Sequence, residues 1–116
     1  MTLRPMLTAA AVTVIPFAAF AQSTAATEVM TQTYACERGA QVSATYINAG
    51  DQSFAVVAFE GRQIGFAIDT SASGARYVST DPAQPFVWWT KGDTAMLMHG
   101  TGDAEAMVYA SCAAAS

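Results

Sequence analysis

The stretch Gln41–Ile68, QVSATYINAGDQSFAVVAFEGRQIGFAI, decides the fold class. Its first seven residues alternate, with Val42, Ala44 and Tyr46 on one face and Gln41, Ser43 and Thr45 on the other. That is the period of a half-buried antiparallel strand rather than of a helix. Asn48-Ala49-Gly50-Asp51 then turns the chain. Ser53–Glu60 is almost continuously apolar, and Glu60-Gly61 leaves room only for a tight hairpin into Arg62–Ile68, where Ile64, Phe66 and Ile68 share a face. Gly65, set between them, marks a bulge or close packing.

Working outward, the same grammar continues on both sides. Thr33–Cys36 is a short run broken by Glu37-Arg38-Gly39, and Ala75–Ser79, Phe86–Thr90, Thr94–Met98 and Ala106–Ser111 are separated by Gly-, Asp- and Pro-containing turns. About eight short strands with no surviving helical period predict an all-β fold, a small eight-stranded antiparallel β-barrel or a sandwich. An interior of eight strands is just filled by side chains, which leaves little space for a substrate cavity. In Phe86–Thr90, Trp88 and Trp89 point to opposite faces, so one fills the core and the other joins a surface patch.

The N-terminus follows a different logic. Arg4 gives a short basic region, Met6–Ala18 is apolar, and Ala19-Phe20-Ala21 before Gln22 is an Ala-x-Ala cleavage site, so residues 1–21 are expected to be a secretory signal peptide. The apolar run is short for a membrane span and Pro16 interrupts it. The expectation is a periplasmic product, free of the membrane after cleavage and without the cysteine of a lipid anchor. Residues 22–32 read as a flexible lead-in and 33–116 as one domain.

Cleavage would leave 95 residues, a size whose core is marginal by itself. Secretion permits a staple, and the only two cysteines, Cys36 and Cys112, stand near the two ends of the mature chain, which predicts one disulfide closing first strand to last. The mature segment carries four cations against nine carboxylates, a net charge of −5. Such a balance disfavours nucleic acid and anionic membranes and favours a basic partner.

Little suggests catalysis. The single histidine, His99, has no Ser/His/Asp arrangement around it. A Ser73–Lys91 dyad would need an oxyanion hole and a substrate groove that nothing near Lys91 signals. Met96, Met98 and His99 offer soft ligands suited to copper, giving a second reading as a periplasmic small-ligand or copper-binding barrel, against two core methionines and a polar strand end. The expectation is no enzyme, no cofactor and no metal.

What stands out is Ser71–Gly92, which holds both tryptophans, the only lysine and two of the four prolines. Ser73-Gly74-Ala75-Arg76-Tyr77 fits a Ser-Gly-x-x-Tyr motif, and Trp89-Thr90-Lys91-Gly92 fits Trp-Thr-Lys-Gly. With Tyr34-Ala35-Cys36 and Tyr109-Ala110-Ser111-Cys112 at the ends, the chain resembles the bacterial inhibitors of c-type lysozyme, periplasmic and membrane-bound, from about Thr33 to Cys112. The resemblance implies an eight-stranded antiparallel barrel that inserts a rim into the lysozyme active-site cleft. By it, Ser73, Gly74, Tyr77, Thr90, Lys91 and Gly92 are the lysozyme-binding residues, with Ser73 and Lys91 the principal contacts.

The chemistry is coherent with that implication. A retaining glycosidase holds two carboxyl groups only about 5 to 5.5 Å apart, one kept protonated and one ionised. An ammonium and a hydroxyl delivered between them would neutralise one and hydrogen-bond the other. Arg76 would suit the same acid-lined cleft. The pairing depends on Val78–Trp88, where Asp81-Pro82-Ala83-Gln84-Pro85 makes the link longer than the family's usual one.

Overall fold

A computed structural model describes residues 2–3, 10–15 and 26–116. Most of the leader expected over residues 1–21, its Ala21 cleavage site included, lies outside the described residues, as do residues 22–25. Among the described residues no helix is long and apolar enough to cross a membrane.

Eight strands follow in order: β1 Thr27–Ala35, β2 Gln41–Ala49, β3 Gln52–Phe59, β4 Arg62–Asp69, β5 Ala75–Ser79, β6 Phe86–Lys91, β7 Thr94–His99 and β8 Ala106–Ala114. Short 3-10 turns at Glu37–Gly39 and Gly102–Ala104 complete the described chain. Each strand pairs antiparallel with its sequence neighbour, and β1 meets β8 to close the barrel. The alternation seen in Gln41–Ile47 continues round the sheet. Val42, Ala44, Tyr46, Ala55, Val57, Phe59, Ile64 and Phe66 point inward and are buried. Phe59 pairs with Arg62 across Glu60-Gly61, both turn residues at positive φ (49° and 71°), the geometry of a two-residue primed hairpin.

One detail differs from the sequence reading and two refine it. β1 begins at Thr27, not Thr33, so part of the expected flexible lead-in is strand. Its Val29 and Thr31 find cross-strand partners in Ile47 and Thr45, which small polar residues without apolar periodicity do not advertise. Of the two readings of Gly65, close packing holds and a bulge does not: β3 and β4 pair in continuous register, and Thr80 donates its N–H to the Gly65 carbonyl at 3.1 Å, folding the following loop against the space a side chain would occupy. Ile68 keeps the inward parity of Ile64 and Phe66 but lies at the barrel end and is 41% exposed.

Trp88 is the tryptophan that fills the core, at 0% exposure. Its Nε1–H donates to the Tyr46 hydroxyl at 2.9 Å, and the Tyr46 and Tyr34 hydroxyls lie 2.6 Å apart. The polar ends of the largest buried aromatics therefore satisfy one another. Burial pushes the Tyr46 phenol well above its ordinary range, and Tyr77 rises for the same reason. Tyr109 rises chiefly because its hydroxyl donates to the Glu60 carboxylate at 2.7 Å. The sign follows: below about pH 10 these phenols are neutral in both states, while above it the unfolded chain ionises first. Stability is expected to fall as pH climbs past about 10. Urea midpoints that stayed level from pH 9 to 11 would contradict this.

The closure is narrow. β1 and β8 share only two residue pairs, Tyr34↔Ala114 and Ala35↔Ala113, extended by Ala115 N–H donating to the Thr33 carbonyl at 2.8 Å. Cys36 and Cys112 are bonded beside this seam, with Cα atoms 4.1 Å apart, as the placement of the two cysteines predicted.

Candidate functional site

In an up-and-down barrel the β2–β3, β4–β5 and β6–β7 connections emerge at one end, and the other connections at the opposite end. Ser73-Gly74 lies in the β4–β5 loop and Gly92-Asp93 forms the β6–β7 turn, so the two motif tips share an end. Register does the rest. Ala75 pairs with Thr90 and Arg76 with Trp89, so one step further along the ladder Gly74 stands beside Lys91.

The contact between the tips is close enough to exclude a side chain at Gly74. A Cβ there would meet the Thr90 carbonyl oxygen, Lys91 Cγ at 2.7 Å and Trp89 Nε1 at 3.2 Å, and Gly74 has φ +68°, a left-handed conformation that glycine tolerates best. Trp89, the outward tryptophan, ties the two loops: its Nε1–H donates to the Ser73 carbonyl at 2.9 Å, and Lys91 Nζ sits 5.5 Å above its ring. Gly74→Ala is expected to destabilise the fold by about 1 to 2 kcal/mol from the left-handed backbone alone and to separate the tips. A thermal melt and a lysozyme-inhibition titration check it, and a variant matching the parent in both would refute the packing argument.

The loop Asp81–Pro85 does not disturb this arrangement. It closes the β5–β6 hairpin at the opposite barrel end and folds on itself, with Asp81 Oδ1 accepting the Ala83 N–H at 2.9 Å and the Asp81 carbonyl accepting the Gln84 N–H at 3.0 Å. Its length is therefore absorbed away from Lys91.

Ser73, Gly74, Lys91 and Gly92 are exposed, and Thr90 is half-buried. Lys91 has no ion-pair partner, and the Ser73 hydroxyl no hydrogen bond, among the described residues. Gly92 takes φ +55° at the first central position of the two-residue turn between Lys91 and Thr94. Tyr77, expected as a loop-supporting or rim contact, is buried 5.7 Å from the Tyr46 ring, as a loop support would be. Arg76 is likewise engaged. It pairs with Asp69 at 2.9 Å and with Glu105, and lies over Trp89, so the acid-seeking role suggested by its charge is met inside the molecule. Spacing along the chain gave no hint of either carboxylate.

The three residues of the metal reading do not converge. Met96 faces outward beside Trp89, Met98 is buried next to Val87, and the His99 ring packs edge-on against Phe86 at 4.7 Å. Near the rim the barrel mouth opens into a cavity of about 240 Å3 between Met30, Tyr34, Tyr46, Tyr77 and Thr90.

The family model for membrane-bound lysozyme-inhibitors of c-type lysozyme matches residues 34–106, from Tyr34 through both motifs. The chain belongs to this family. Among membrane-bound lysozyme inhibitors of C-type lysozyme, the protein of Pseudomonas aeruginosa is 42% identical over 65 residues and that of Cupriavidus necator 36% over 64. Each alignment covers 55% of this chain and 48% of the relative, so the chain spans about half the length of the curated relatives it matches. Solved structures agree on the fold. The periplasmic lysozyme inhibitor of C-type lysozyme from Salmonella typhimurium superposes with a TM-score of 0.68 at 26% identity, covering 77% of this chain and all of the other. The Pseudomonas aeruginosa inhibitor, solved in complex with hen egg white lysozyme, gives 0.60 at 33% identity, covering 78% and 86%. The lysozyme inhibitor family thus includes both membrane-bound and periplasmic members, and this chain shares their barrel.

Proposed function

We propose that this protein is a periplasmic inhibitor of c-type lysozyme that places the Ser73–Lys91 rim in the enzyme's active-site cleft. The observation that carries the reading is the contact of the two tips: Gly74 packed on Thr90 and Lys91, with Trp89 joined to Ser73, makes one rigid projection out of two loops. The Lys91 ammonium neutralises the ionised catalytic carboxylate, and the Ser73 hydroxyl hydrogen-bonds its neighbour. Thr90 and Gly92 shape the turn and Tyr77 braces it. The protein performs no chemistry of its own and uses no cofactor.

The net charge of −5 on residues 22–116 draws in a basic enzyme, and the exposed cation then fixes the register at the cleft. Membership of the family and the lysozyme complex of its Pseudomonas aeruginosa relative support the same partner. Residues 1–21 act as a signal peptide cut after Ala21, and with no cysteine at that junction the barrel is released without a lipid anchor. The test is a lysozyme-activity assay with purified residues 22–116: stoichiometric loss of bacterial cell-wall lysis is expected, and undiminished lysis at excess protein would overturn the reading.

A further inference from the structure

The pairing of β7 with β8 is interrupted next to Lys91. Ala95 pairs with Cys112 and Leu97 with Tyr109, so two residues of β8, Ala110 and Ser111, stand opposite Met96 alone. This is a β-bulge, which bends its strand and re-aims side chains. The bulge is secured: the Ser111 N–H donates to the Glu37 carboxylate at 2.7 Å, and Cys112 is bonded to Cys36. A groove of about 290 Å3 results on the outer face of the barrel, walled by Trp89, Lys91, Met96, Ala110 and Ser111.

We infer that this groove is a second contact surface for the same lysozyme, seating an uncharged side chain from the lip of its cleft. The inference rests on the proposed function. Lys91, Trp89 and Met96 lie on one face, since Trp89 pairs with Met96 and Lys91 with Thr94. A cleft that admits the Lys91 ammonium must bring one wall down over the Ser73 loop and the other over the groove, because Lys91 itself forms the boundary of both. The floor offers a thioether, an indole edge and a methyl group, a surface that adapts to an apolar or aromatic group. Apart from Lys91, the residues that line it carry no charge, which fits an uncharged group at its centre.

Ala110 is exposed on β8, so filling the groove from there need not disturb the core. Binding to an immobilised c-type lysozyme is measured for the parent, Lys91→Ala, Ala110→Phe and Met96→Ala, with a thermal melt of each. Ala110→Phe is expected to weaken binding at least tenfold, mainly through faster dissociation, and Met96→Ala three- to fivefold, with melts close to the parent. If Lys91→Ala abolishes binding while both groove variants bind within twofold of the parent, the groove inference fails and the cleft reading stands. If Lys91→Ala binds like the parent, the cleft reading fails first. Should Ala110→Phe melt early, Met96→Ala decides.

Discussion

Lys91→Ala is expected to weaken the complex with c-type lysozyme by about 2 to 5 kcal/mol, which is roughly thirtyfold to several-thousandfold in the dissociation constant. The size comes from what the substitution leaves behind. In the proposed complex the ammonium would be desolvated against carboxylates, and its removal would strand their charge in a cleft from which the inhibitor has expelled water. In the free protein the cost is small, because Lys91 is exposed and makes no ion pair among the described residues, only the contact with the Trp89 ring. Binding and folding should therefore separate: the inhibition titration moves and the thermal melt does not. Inhibition equal to the parent's would remove Lys91 from the mechanism. Ser73→Ala belongs to the same experiment with a smaller effect, since it deletes one hydrogen bond to a neutral carboxyl group, about 0.5 to 1.5 kcal/mol.

Reduction of Cys36–Cys112 is the larger effect on stability. The bridge spans 76 residues, and the chain-entropy model gives about 4 to 4.5 kcal/mol for a loop of that length. For a domain of this size that corresponds to a fall of about 20 °C or more in melting temperature. The structure adds a reason for the barrel to be sensitive here. β1 and β8 meet at only two residue pairs, so the covalent link does much of the work of closure that a longer ladder does between the other strands. A melt unchanged by reductant, with thiol titration proving the bond open, would mean that the short seam suffices.

Much of this was legible in the residues, and the reasons are specific. Gln41–Ile68 shows its strands because the inward residues at their centres are apolar and each of the two turns holds a glycine at positive φ, Gly50 and Gly61. The disulfide was legible because only two cysteines exist. The first half of β1 was not, because Thr27–Gln32 draws its order from pairing with β2 and carries no pattern of its own. The partners of Arg76 were not legible, since Asp69 and Glu105 come to it from another strand and another loop. The choice between Trp88 and Trp89 depends on which face of β6 turns inward, and a run in which both alternating positions are apolar does not reveal that.

The register of β5 with β6 has one more consequence. The hairpin has two ends with unequal freedom: beside Gly74 and Lys91 an added methyl group collides, whereas Asp81–Pro85 is exposed or half-buried and bonds mainly within itself. That loop is a handle. A fluorophore or surface linker joined at Ala83 would hold the molecule by the end remote from the proposed binding rim, presenting every copy to solution in the same orientation.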